Sequence, residues 1–264
     1  KQKPEIAREA FIQGALLEEG KRHHQEGEEH PYALSVAILL VVFVFFLIFG
    51  IFVHSAVAAD VTVVALDLSL TSAGENWSQN IHAIEDVIAT LTPGSRFVVI
   101  PVAQDSFSQA VILDARLSAD PGLFGERLTA GKQALLKIWR EKSKALAASA
   151  KKTDLFGAFA KASILFTESP DFNPILIMLS DMRQDGRGYD FEGQQRIDSH
   201  TLDQVAKSGL IPPLPGVRVW IHGVHAQGIS EIYWFSLRTF WTEYLRRANA
   251  TLITFSPHRR IHYE

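Results

Sequence analysis

Two patterns of hydrophobic and polar positions divide the chain. From Pro31 to Val53 the run PYALSVAILLVVFVFFLIFGIFV contains no ionisable residue. A bilayer core of about 30 Å takes about 20 helical residues, so this run is long enough to span it with some tilt. Tyr32 stands where an interfacial aromatic would, and Gly50 is tolerated in a membrane helix. Ala56-Val57-Ala58 has the small residues of a cleavage site, but the run is too long for a signal-peptide core and reads as an uncleaved anchor. Lys21 and Arg22 precede the run, and the first basic residue after it is Arg96. The positive-inside rule therefore places residues 1–30 in the cytoplasm and 60–264 on the periplasmic or extracytoplasmic side. In the arm, residues 1–30, Ile6, Ala10, Phe11, Ala15 and Leu16 or Leu17 fall loosely at helical spacing. That arm reads either as a helix lying on the membrane or a partner, or as a frayed tail.

After Asp60 short apolar runs alternate with longer amphipathic stretches. VTVVALD (61–67) is β-branched and apolar on both faces, as a central parallel strand is. Ile81, Ile84, Ile88 and Leu91 share one helical face, and Pro93-Gly94 ends that helix. RFVVIPVA (96–103) is a second strand, and QAVILDARL (109–117) returns beside it as an antiparallel edge. An Ala/Lys-rich helix is expected over 121–149, and Thr153-Asp154 opens another with Leu155, Phe159, Ala162 and Phe166 on one face. PILIMLSD (174–181), VRVWIHGV (217–224) and TLITF (251–255) are further strands, with an aromatic helix at 229–249. This alternation predicts an α/β domain over 60–264: a mostly parallel, doubly wound sheet with one antiparallel edge strand, preceded by a single transmembrane helix at 31–53.

Composition narrows the chemistry. The 264 residues carry 26 Lys+Arg against 29 Asp+Glu, a formal net charge of -3. That balance gives no electrostatic basis for gripping a nucleic-acid backbone. With 47% hydrophobic residues the chain forms a core rather than a disordered ensemble. The absence of cysteine removes disulfide scaffolds, zinc–thiolate sites, iron–sulfur clusters and cysteine nucleophiles together.

In a doubly wound sheet, ligands bind beyond the carboxyl ends of the strands at the topological switch point. The loops expected there carry oxygen-bearing side chains: Asp67, Ser69 and Thr71 after the first strand, Thr153 at a helix start, and Asp181 after PILIMLS. Two carboxylates with hydroxyls, and no His or Cys, suit a hard cation, Mg²⁺ first and then Mn²⁺ or Ca²⁺. Each residue alone also serves as a helix cap or turn former. In order, they resemble the von Willebrand factor type A (VWA) family. Its metal-ion-dependent adhesion site (MIDAS) uses an Asp-x-Ser-x-Ser turn, a distant Thr and a distant Asp. Asp67-x-Ser69-x-Thr71 keeps the hydroxyl at its last position with a bulkier residue, which narrows the metal's outer face. TDLFGAF from Thr153 resembles the family's threonine loop, and Leu179-Ser180-Asp181 its final ligand strand. Asp154 either balances charge or caps the helix. The resemblance, over residues 60–256, implies a VWA/Rossmann-like fold and a protein–protein interaction module. It also implies that the metal's sixth position is filled by an acidic side chain of a partner protein. The expectation is a binding protein rather than an enzyme, within a larger membrane assembly. The alternative is a structural subunit with the same fold and no metal.

Competing chemistries fit less well. A haloacid-dehalogenase-type phosphatase needs a carboxylate two residues after Asp67, where Ser69 stands. GERLTAGK (125–132) has the wrong glycine spacing for a phosphate loop, and Gln133 replaces its Ser/Thr. No Gly-x-Ser-x-Gly elbow is present. His222 and His225 fall on opposite faces of a strand and read as packing. Asn76-Trp-Ser and Asn249-Ala-Thr are formal glycosylation sequons. The polar segment 182–198 is expected to overhang the metal face. On the 229–249 helix, Ile229, Tyr233, Leu237, Phe240 and Tyr244 form the sheet-facing stripe. Trp234 and Trp241 form a second stripe, which is either an interface or buried under 205–216.

Overall fold

The β-branched run after residue 60 forms β1 (Asp60–Asp67), and all of it beyond Asp60 is buried. A 3-10 turn at Leu70–Ser72 follows, then α1 (Glu75–Thr90), which stops before Pro93-Gly94. Next come β2 (Arg96–Val102), β3 (Leu113–Arg116), α2 (Glu126–Lys144), α3 (Leu155–Thr167) and β4 (Asn173–Leu179). A small ribbon of β5 (Asp185–Gly186) and β6 (Tyr189–Asp190) precedes α4 (Thr201–Lys207), β7 (Arg218–His222), α5 (Glu231–Arg247) and β8 (Thr251–Ser256). This computed structural model describes Val41, Phe43 and residues 59–224 and 230–259. The chain divides into two compact units, Lys1–Val57 and Ala58–Glu264. The expected arm and the span at 31–53 lie outside the described residues, apart from helical Val41 and Phe43. Among the described residues no helix is long and apolar enough to cross a membrane.

The main sheet has the order β3-β2-β1-β4-β7-β8, parallel except for the β2–β3 edge pair. Its four central strands, β2, β1, β4 and β7, bury both faces, and alternate residues serve opposite layers. Val61, Val63 and Ala65 of β1, with Leu176 and Met178 of β4, pack under α3, α4 and α5. Val64 and Leu66, with Ile175 and Ile177, face α1 and α2. Each side is anchored by a fully buried tryptophan, Trp139 of α2 and Trp241 of α5.

Two expectations change in the folded chain. The helix expected over 121–149 is shorter at both ends. Gly122 and Gly125 take positive φ of 81° and 77° in a tight turn, and the Glu126 carboxylate accepts the Leu123 and Phe124 N–H groups at 3.2 and 2.9 Å. The far end becomes an extended segment whose Ala150 bridges to Ser69. GERLTAGK, apart from Gly125, lies inside α2 and forms no loop. Trp241 belongs to the core rather than to a separate stripe. It packs in tilted and edge-to-face contacts among Phe156, Phe159, Phe240 and Tyr244, and its indole N–H donates to the Met182 carbonyl at 2.9 Å. Trp234 is only partly buried and meets Phe255 of β8 edge-on. The buried face of α5 is wide because it packs against α3 and the 182–198 segment as well as the sheet.

Candidate metal centre

The strand order reverses between β1 and β4, since β1 pairs with β2 on one side and β4 on the other. Asp67 closes β1 and Ser180-Asp181 directly follow β4, so the switch point holds the residues the sequence nominates. Asp67 is fully buried. Its Oδ1 accepts the Ser69 N–H at 2.8 Å and its Oδ2 accepts the Ser180 hydroxyl at 2.6 Å. Ser180 Oγ in turn accepts the Met182 N–H at 3.1 Å, tying the two strand ends together. Ser69 Oγ and Thr71 Oγ1 lie 2.8 Å apart.

Thr153 reaches this end of the sheet through its backbone. The Leu70 N–H donates to the Ala150 carbonyl at 3.0 Å, and the Ala150 N–H donates to that of Leu68 at 2.8 Å, holding the segment beside the Ser69 turn. Thr153 and Asp185 exchange both backbone hydrogen bonds, at 3.1 and 2.9 Å, joining it to the loop after Asp181. The Thr153 side chain is buried. Asp181 Oδ1 accepts the Arg183 N–H at 3.1 Å. The next residue, Met182, has φ 64°, a left-handed conformation costly for a bulky side chain. Burial of its side chain and the Trp241 indole hold it there.

The electrostatics of the pair follow from burial. Burial and then the nearby Asp181 charge push the Asp67 carboxyl up to about 6, against the hydrogen bonds from Ser180 and Ser69. The 182–198 segment borders Asp181. Arg183 Nε lies 3.9 Å from Asp181 Oδ2, and its Nη1 lies 3.7 Å from Glu192 Oε2. Burial and then Asp181 also raise the Glu192 carboxyl.

Asp154 resolves as a cap and ion-pair partner. Its Oδ1 accepts the Gly157 N–H at 2.9 Å and Arg187 Nε at 2.7 Å, and Oδ2 accepts the Ser106 N–H at 3.3 Å. Gly157 must be glycine, because a Cβ there would run into the Asp154 carboxylate. Gln184 completes the α3 cap, its Oε1 accepting the Leu155 and Phe156 N–H groups at 2.7 and 3.3 Å. Asp154 was legible as an N-cap and Ser180 as part of the Leu-Ser-Asp strand end, but Gln184 and Arg187 carried no spacing signal. Buried His222 places Nδ1 3.0 Å from the His258 carbonyl, consistent with packing, while His225 lies outside the described residues. The Asn76 sequon sits in the first turn of α1, and its Oδ1 accepts from Arg259 at 3.0 Å.

The donor set fits an oxygen-preferring divalent ion. Metal–oxygen bonds of 2.0–2.1 Å give an octahedral edge of about 3 Å, close to the 2.8 Å between the Ser69 and Thr71 hydroxyls. A cation would offset the burial and the Asp181 charge that raise Asp67, and Thr71 is exposed, so its extra methyl is not forced into packed surroundings. Among the described residues no three His, Cys, Asp or Glu side chains gather around a common point, so such a site depends on its hydroxyls.

No family model and no curated relative matches the chain. It is similar to a von Willebrand factor type A protein from Catenulispora acidiphila at 18% identity and TM-score 0.43, covering 75% of this chain and 39% of that one. For proximal thread matrix protein 1 from the mussel byssus, the identity is 15% and the TM-score 0.40, over 74% and 43% of the two chains. For the pilus adhesin SpaC from Lactobacillus rhamnosus GG, the values are 11% and 0.47, over 78% and 29%. The chain thus spans less than half the length of each. Likeness at this level leaves the fold resting on the chain's own sheet order and register.

Proposed function

We propose that residues 60–264 form a VWA-like protein-interaction module that binds its partner through a divalent ion, Mg²⁺ first and Mn²⁺ or Ca²⁺ next. Asp67, Ser69, Thr71, Thr153 and Asp181 would hold the ion, leaving a coordination position for an acidic side chain of the partner. The observation that carries this reading is the convergence of a buried carboxylate, a second carboxylate and paired hydroxyls at the switch point of the sheet. The run at 31–53 supports a single-pass anchor, with residues 1–30 cytoplasmic and the module displayed across the membrane as a subunit of a larger complex. We assign the protein no catalytic role.

The test is thermal unfolding of the chain in EDTA and then in Mg²⁺ or Mn²⁺. A metal at about 100 times its Kd adds about 2.7 kcal/mol, a rise of roughly 5–11 °C for a domain this size. The rise is expected in the wild type and absent in Asp67→Ala. No rise with any divalent ion would defeat the metal reading and favour a structural subunit built on a metal-free fold. That second reading draws on Arg183 and Arg259, which already bring positive charge to the carboxylate pair. A partner complex that survives EDTA would favour it further.

A further inference from the structure

Arg259 is a charged side chain only 4% exposed. It donates from Nε to Asn80 Oδ1 at 2.6 Å, from Nη1 to Asn76 Oδ1 at 3.0 Å and from Nη2 to the Gly223 carbonyl at 3.5 Å. Gly223 makes room for it, since a Cβ there would come within 2.9 Å of the guanidinium carbon. The anchors flank the candidate centre. Gly223 follows His222, which is in register with Leu179 and accepts the Ser180 N–H at 3.1 Å. Asn76 and Asn80 lie in the first two turns of α1, just after the turn carrying Ser69 and Thr71. The guanidinium is therefore held between the end of β7 and the start of α1, at the end of the sheet that carries Asp67 and Asp181. Burial lowers its pKa, and the charges of Asp181 and Asp67 raise it.

We propose that Arg259 is a resident cation of the centre, balancing Asp67 and Asp181 when no metal is bound and opposing divalent-ion binding. The inference rests on the metal reading above and adds antagonism between the segment Pro257–Arg259 and the ion. Two cations sharing one carboxylate pair repel, and linkage makes the antagonism reciprocal. Removing Arg259's charge should therefore tighten metal binding, and metal should loosen the segment.

Mn²⁺ titration of the full chain, with free ion followed by electron paramagnetic resonance, tests this. Arg259→Gln is expected to bind Mn²⁺ about tenfold more tightly than wild type, and Arg259→Lys about equally. Asn76→Ala, which removes one anchor, should fall between them and keeps the test open if Arg259→Gln does not fold. In wild type, saturating Mn²⁺ should speed amide exchange at His258 and Arg259. Equal or weaker binding by the folded variants, beside a wild type that binds, would overturn Arg259's role alone. If none of the chains binds Mn²⁺, the metal reading falls and this inference with it.

Discussion

Asp67→Asn separates a carboxylate kept for a ligand from one kept for the fold. Burial and Asp181 raise the Asp67 carboxyl from 3.8 to about 6, which at about 1.4 kcal/mol per pH unit makes ionisation cost the folded state about 3 kcal/mol. The sign follows from proton binding. Between about pH 4 and pH 6 the folded chain holds a proton that the unfolded chain has lost. This stabilising contribution is complete below pH 4 and lost as pH rises through 6. An asparagine escapes that loss while its Oδ1 still accepts the Ser69 N–H. It replaces the short acceptor bond to Ser180 with a neutral one, an offset of about 1 kcal/mol. In EDTA at pH 8, Asp67→Asn should therefore be about 2 kcal/mol more stable than wild type, or roughly 4–8 °C in Tm. At pH 4, where the wild type keeps its proton, only that offset remains, and the variant should be about 1 kcal/mol less stable. At pH 8, saturating Mg²⁺ should put the wild type ahead, because it gains the binding energy and the variant does not. Urea and thermal denaturation across pH 4–8, with and without Mg²⁺, measure all three. A variant less stable than wild type at pH 8 in EDTA would refute the reasoning, since Asp67's charge would then be stabilised rather than strained. Equal Mg²⁺ gains in both chains would refute its role as a ligand.

Other substitutions test the supports around the centre. Asp181→Asn should lower the Asp67 pKa by removing the neighbouring charge, seen by NMR titration, while abolishing the Mg²⁺-dependent rise in Tm and leaving the fold intact. Gly157→Ala should cost about 2–3 kcal/mol in urea denaturation, because its Cβ displaces the Asp154 carboxylate from its cap and from Arg187. Trp241→Phe strips the hydrogen bond from the Met182 carbonyl and leaves a void in the aromatic cluster. A loss of about 2–3 kcal/mol is expected, with weaker near-UV dichroism.

Much of the domain is legible from local pattern. VTVVALD and PILIML read as strands buried on both faces, Pro93-Gly94 as a helix stop, and Asp67, Ser69, Thr71, Thr153 and Asp181 as residues at element ends. Side-chain period and turn chemistry act over a few residues, so a single sequence displays them. The partners of those residues arise from contacts between distant segments, which spacing does not record. Ser180 meets Asp67 only because β4 lies beside β1, and Arg187 reaches Asp154 only because the β5–β6 ribbon folds back over the start of α3. Trp241 read on its own helix as either an interface residue or one buried under 205–216, and the loop after Asp181 and α3 bury it. Arg259 is the furthest case: it is drawn to Asn76 and Asn80 across the chain by the arrangement of β7 and α1. The sequence by itself determined which oxygens stand at the strand ends, and tertiary packing alone decided which charges meet there, because burial and neighbouring charge exist only once the sheet has assembled.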